Sequence, residues 1–107
     1  MISSDVIRGY NDLIILSLLL EKPSYGYEIS RRISEMSEEK YVIKETTLYS
    51  AFNRLMKQKY IESFTYLSPQ GRQRTYYRIS DLGRHYYHEK CEEWVLTQEV
   101  INQFIKE

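Results

Sequence analysis

Residues 13–20 read LIILSLLL, and no winding of that run leaves a polar stripe. It is too short to cross a bilayer, which needs about 20 apolar residues. Ser3 or Ser4 can cap a helix that contains it, with Asp5 favourable in the first turn. Pro23 stops the helix just past Leu20. Over its second half such a helix is apolar all round, so it has to be covered all round. A chain of 107 residues has little core material for that task. The run therefore points to a second copy of the chain as part of its cover.

The C-terminal end makes a matching demand. Ser80 and Asp81 open a helix expected to reach Ile105. Along it Tyr87, Cys91, Trp94, Gln98, Ile101 and Ile105 recur at intervals of 4, 3, 4, 3 and 4, which is a heptad seam. A protruding helix with such a seam has to bury it, and the first helix is the obvious counterpart. The expected interface of a homodimer is thus Leu13 with the six seam residues, and residues 81–107 form a dimerisation helix.

Residues 1–80 read as one further unit. Ser24 is expected to cap a second helix from Tyr25 to about Met36, with Ile29, Ile33 and Met36 toward the core. YVIK, Tyr41 to Lys44, reads as one short strand rung. Thr46 or Thr47 starts a third helix, to about Gln58, that buries Leu48, Phe52, Leu55 and Met56. Then LSPQGRQRTYYRIS makes a hairpin, with Pro69, Gln70 and Gly71 at the turn. Helix, helix, short strand, helix, hairpin, long helix is a mainly α chain with a β-hairpin. It is the order of a winged helix-turn-helix followed by a C-terminal helix.

Net charge is zero, but its distribution is uneven. Residues 44–78 carry seven Lys/Arg against two Asp/Glu, between flanks in which acids outnumber bases. A phosphate backbone responds to such local clusters. The third helix leaves Thr46, Thr47, Ser50, Asn53, Arg54 and Lys57 on one side, all able to bond base edges or phosphates. Arg72 and Arg74 flank the hairpin tip. The bland alternatives are a solvated helix face and ordinary surface charge.

Other functions find little support. A lone Cys91 allows no internal disulfide and suits a reducing, cytoplasmic setting. His85 and His88 lack a third ligand at metal-binding spacing. No paired carboxylates, Ser-His-Asp set or glycine-rich phosphate loop is present, so neither an enzyme nor a bound cofactor is expected. No segment reads as a membrane span.

The ordered set YGYEI (Tyr25 to Ile29), TLY (Thr47 to Tyr49), RL (Arg54, Leu55), GRQRTYYRIS (Gly71 to Ser80) and LG (Leu82, Gly83) resembles the PadR family of bacterial transcriptional regulators. The single C-terminal helix is similar to the short subfamily. EEW at Glu92 to Trp94 resembles a lactococcal multidrug-binding repressor within it. The resemblance implies a cytoplasmic homodimeric repressor on double-stranded DNA with a pseudopalindromic operator. It also implies that Tyr49, the tyrosine of TLY, touches the phosphate backbone. It further implies that Trp94 faces its symmetry mate and sandwiches a planar aromatic or cationic small molecule; from their place on the first helix, Tyr10 and Asp12 are expected to line the same cavity. Two alternatives stay open. Trp94 can be a packing anchor of the dimer, and a winged helix can serve as a protein-interaction module without DNA.

Overall fold

The apolar run becomes the middle of the molecule, and the chain itself covers most of it. The computed structural model describes residues 1–106; Glu107, the end of the expected C-terminal unit, lies outside them. In chain order come α1 (Ser4–Ile7), a 3-10 turn (Arg8–Tyr10), α2 (Asn11–Leu19), β1 (Ser24–Tyr25), α3 (Gly26–Met36), α4 (Glu45–Lys57), β2 (Ile61–Leu67), β3 (Gln73–Ile79) and α5 (Asp81–Asn102). This is the mainly helical fold with a small antiparallel sheet and a long last helix that the sequence implies. Helix α2 packs against α3, α4, α5 and β3. None of its residues is exposed, and Ile15 and Leu16 are fully buried. Leu13, Ile14, Ser17 and Leu20 remain half-buried, so the chain's own cover is complete only over the buried side of the run. Ile15, Leu16, Leu18 and Leu19 join Ile29, Ile33, Leu48, Phe52, Leu55, Ile61 and Tyr77 in one core.

Several boundaries differ from expectation for local reasons. The first helix is not continuous: Arg8–Tyr10 tightens into a 3-10 turn that includes Gly9, a poor helix former. Ser3 stands at the N-cap of α1 but makes no side-chain capping bond. Ser24 does not cap α3. It lies in β1, fully buried, and donates from its hydroxyl to Glu28 Oε1 at 2.5 Å, while Tyr25 holds the N-cap position. Met36, expected in the core, is 69% exposed at the end of α3. Helix α5 stops at Asn102, short of Ile105.

The strand assignment also moves. YVIK forms no ladder. Tyr41 and Ile43 are buried while Val42 and Lys44 face outward, so the alternation that reads as a strand serves side-chain packing alone. The Tyr41 hydroxyl donates to Asn11 Oδ1 at 2.6 Å, which satisfies a buried asparagine of α2; burial pushes the tyrosine up from its ordinary value. The third strand is β1 instead. The sheet order is β1-β3-β2, all antiparallel, with Tyr25 opposite Tyr76 and Phe64 opposite Tyr76 on the other side. The hairpin turn follows its residues: the Ser68 carbonyl accepts from the Gly71 N–H at 2.9 Å, and Gly71 has φ +80°.

Helix α5 is pinned at its start. The Ser80 hydroxyl accepts from the Gly83 N–H at 3.0 Å and donates to the Lys59 carbonyl at 2.7 Å. Tyr86 stacks on Tyr60 with centroids 4.1 Å apart. Gly83 is buried so closely on the Tyr60 carbonyl that a Cβ there would strike backbone. Among the described residues, no helix is long and apolar enough to cross a membrane.

That close approach gives a stability test. Gly83→Ala should lower stability by about 1–3 kcal/mol, the usual cost of overpacking a rigid site, although alanine is the better helix former. Thermal melts read the loss. A Tm equal to the parent's would contradict the packing of α5 on the α4–β2 junction.

Candidate nucleic-acid interface

Helix α4 owes its orientation to its apolar side. Leu48, Ala51, Phe52 and Leu55 are buried, and Phe52 is stacked on Tyr77 of β3 with centroids 4.0 Å apart. That stack fixes the hairpin against the helix. Thr46, Tyr49, Ser50, Asn53, Arg54 and Lys57 are left exposed, with Thr47 half-buried. The polar side read from the sequence is thus a real surface, flanked by a cleft on each edge.

The first cleft, about 440 Å³, lies between α4 and the N-terminal segment and is lined by Arg8, Asn11, Asp12, Thr46, Thr47, Ser50 and Arg54. Here Arg54 is already occupied. Its Nε donates to Asp12 Oδ2 at 3.0 Å and its Nη2 to Asp12 Oδ1. The carboxylate raises the guanidinium above its ordinary value. A fork held in this bidentate way has fewer N–H groups to offer a phosphate. The pairing joins residues 42 apart and has no local signature.

The second cleft, about 600 Å³, lies between α4 and the wing and is lined by Tyr25, Gly26, Tyr27, Tyr49, Arg72, Arg74, Thr75 and Tyr77. Tyr49 stands edge-on to Phe52 at 5.4 Å, and its hydroxyl end lies over Gly26, where any Cβ would collide with it. The glycine therefore makes room for the tyrosine. Arg72 and Arg74 form no ion pair among the described residues, whereas Arg78 is tied to Glu62 at 3.4 Å. The wing arginines are not equivalent. Arg72 is exposed, Arg74 lies over the Tyr25 ring at 4.4 Å from its centroid, and Arg78 lies over Phe64 at 4.9 Å.

A third cleft, about 330 Å³, opens between α2 and α5. Tyr10, Asp12, Leu13 and Trp94 line it with Tyr86, Lys90, Glu93 and Thr97. The three residues expected around a small molecule are thus neighbours, with Tyr10 edge-on to Trp94 at 5.0 Å. Its carboxylates are engaged, Asp12 by Arg54 and Glu93 by Lys90 at 3.1 Å. Beyond it α5 is bare. Trp94, Gln98, Ile101 and Ile105 of the seam are exposed, while Tyr87 and Cys91 are half-buried. The exposed apolar surface is broader than the seam and includes Val95, Leu96, Val100 and Phe104. No cluster of three or more His, Cys, Asp or Glu able to hold a metal occurs among the described residues.

Comparison with known proteins gives consistent matches. The model of the transcriptional regulator PadR-like family matches residues 15–89. A solved transcriptional regulator from Clostridium thermocellum is 61% identical, with a TM-score of 0.91, and covers 99% of this chain and 100% of that one. A PadR family transcription regulator from Clostridium difficile is 33% identical with a TM-score of 0.79, over 91% of this chain and 99% of that one. An uncharacterized protein of Lysinibacillus sphaericus is 46% identical over 106 residues, 99% of this chain and 97% of that protein.

The Gly26–Tyr49 contact can be tested on duplex binding. Gly26→Ala displaces only the far end of the Tyr49 side chain, so the fold should persist. Duplex affinity should fall roughly 2- to 10-fold, the scale of one hydrogen bond. In a Tyr49→Ala background the same substitution should cost nothing further. An equal loss in both backgrounds would mean that the place of Tyr49 is not what Gly26 protects.

Proposed function

Because the chain belongs to the PadR-like family of transcriptional regulators, we propose that it is a homodimeric, sequence-specific DNA-binding repressor. Regulators of this family are DNA-binding transcription factors, not enzymes. The observation that carries the reading here is a continuous surface. The exposed side of α4 runs through Tyr49 into a cleft whose far wall is two arginines with no acid partner among the described residues. In the proposed complex α4 enters the major groove with Thr46, Thr47, Ser50, Asn53 and Lys57 facing bases and phosphates. Arg72, Arg74 and Tyr49 clasp the backbone beside it. Arg54 contributes less than its charge suggests, because Asp12 holds it.

The bare apolar half of α5 supports a dimer. Trp94, Val95, Leu96, Val100, Ile101 and Phe104 are all at least 40% exposed in the single chain, a contiguous load that a soluble monomer rarely shows. A two-fold pair would present two α4 helices to half-sites about 34–36 Å apart. The cleft of Tyr10, Leu13 and Trp94 beside that face favours release by a planar aromatic molecule stacked on Trp94. With Asp12 and Glu93 already paired, stacking rather than charge would dominate its binding.

Salt titration on a duplex selected from a random pool tests the reading. Binding should weaken linearly in log–log form as salt rises. Arg72→Ala and Arg74→Ala should each reduce the slope by roughly 1, on selected and scrambled duplexes alike. Arg78→Ala, which removes an arginine already paired with Glu62, should leave the slope nearly unchanged. Sedimentation should show a dimer at tens of micromolar. Absence of duplex binding at every salt concentration would instead identify a protein-interaction module. A monomer at those concentrations would refute the two-fold arrangement.

A further inference from the structure

The outer face of the wing is a chain of aromatic rings with an arginine at each end, Arg74 over Tyr25 and Arg78 over Phe64. In the register of the sheet, Tyr25 stands opposite Tyr76, Phe64 opposite Tyr76 from the other side, and Tyr66 opposite Arg74. Residues directly opposite share a face, and diagonal neighbours remain within reach of long side chains. Accordingly Tyr76 meets Tyr25 at 5.1 Å, Tyr66 at 5.1 Å and Phe64 at 5.8 Å between centroids. β1 has only two residues, and the chain turns into α3 at Gly26. Tyr25 is therefore the last residue of the strand, and its ring reaches diagonally to Arg74, whose guanidinium carbon lies 4.4 Å from the ring centroid.

Resting on the DNA reading above, we infer that Tyr25 is a positioning residue for Arg74, holding its guanidinium flat and open toward the cleft that receives a backbone phosphate. The chemistry fits that task. A ring face attracts the cation but uses none of its N–H donors. A carboxylate would attract it too, but would consume donors and cancel charge. The chain contains both arrangements. Arg54 is held by Asp12 and Arg78 by Glu62, whereas Arg74 has no acid partner among the described residues. The nearby Glu28 accepts a hydrogen bond from Ser24. Arg72, two residues nearer the tip, makes no comparable stack among the described residues, so it has to be ordered by the phosphate itself. Tyr25, Arg72 and Arg74 line the cleft that Tyr49 closes.

A double-mutant cycle read by duplex titration tests this. Tyr25→Leu keeps bulk in the strand and removes the ring face. It should weaken binding roughly two- to five-fold, the scale of an exposed cation–π contact, and leave the salt slope intact because the charge remains. Tyr25→Phe should restore parental affinity, since the ring and not the hydroxyl holds the guanidinium. In an Arg74→Ala background, Tyr25→Leu should have no further effect. Arg74→Lys keeps a long unbranched cation in β3 and leaves β1 untouched, and so covers the case in which Tyr25→Leu fails to fold. It should show a similar two- to five-fold loss with an unchanged slope, because an ammonium lacks the planar fork. Losses that add in the double variant, Tyr25→Phe as weak as Tyr25→Leu, or Arg74→Lys as tight as the parent would each overturn the inference. If Arg74→Ala itself leaves affinity and slope unchanged, the wing does not touch phosphate, and the reading beneath the inference fails with it.

Discussion

Helix α2 leaves none of its residues exposed, and the placement of the other elements follows from that requirement. An apolar run with no polar stripe cannot lie on a surface, so α3, α4, α5 and β3 are arranged as its walls. Its few polar atoms are consumed in the same arrangement. Asn11 is met by the Tyr41 hydroxyl, and Asp12, at the rim, reaches Arg54 of α4. Helix α2 thereby touches both the helix that faces DNA in the proposed complex and the helix that carries the bare apolar half. A rearrangement of α5 can reach α4 through α2 and through the Tyr60–Tyr86 contact at the α4–β2 junction.

Charge is allocated rather than accumulated. The chain has 15 basic and 15 acidic residues, so a nucleic-acid surface cannot arise from excess. It arises because acids engage some bases and leave others. Arg8 is paired with Asp5, Arg32 with Glu21, Arg54 with Asp12 and Arg78 with Glu62, while Arg72 and Arg74 have no acid partner among the described residues. Exposed pairs of this kind add little stability. Their larger effect here is to make the arginines around the proposed interface unequal: Arg54 and Arg78 are engaged, Arg72 and Arg74 are not. Aromatic rings then do for Arg74 what a carboxylate does for Arg54, without neutralising it.

Glycines mark the two closest approaches. Gly83 lets α5 lie on the Tyr60 carbonyl, and Gly26 lets Tyr49 lie across the start of α3. The first holds the fold and the second shapes the interface. The obstacles differ accordingly: backbone cannot give way at Gly83, whereas a side-chain tip can at Gly26.

The sequence by itself determined what depends on neighbours within a turn or two. The buried side of α4, the Ser80 cap, the Pro69–Gly71 turn and the alternation in β3 are short-range patterns of period, propensity and turn chemistry, and they stand where the residues imply. The element order that results was enough to show the winged arrangement. Only the tertiary structure decided which short segment became the third strand. YVIK and Ser24–Tyr25 both suit extended backbone, and the free edge of β3 is occupied by β1, while Tyr41 and Ile43 serve the core. It likewise decided which elements wall α2, and that Asp12 pairs with Arg54. It also set Tyr25 on Arg74 and Tyr49 over Gly26. Those pairs are separated by tens of residues, so their geometry exists only after the core has closed. No periodicity in a single chain encodes which of several equally charged side chains will then be adjacent.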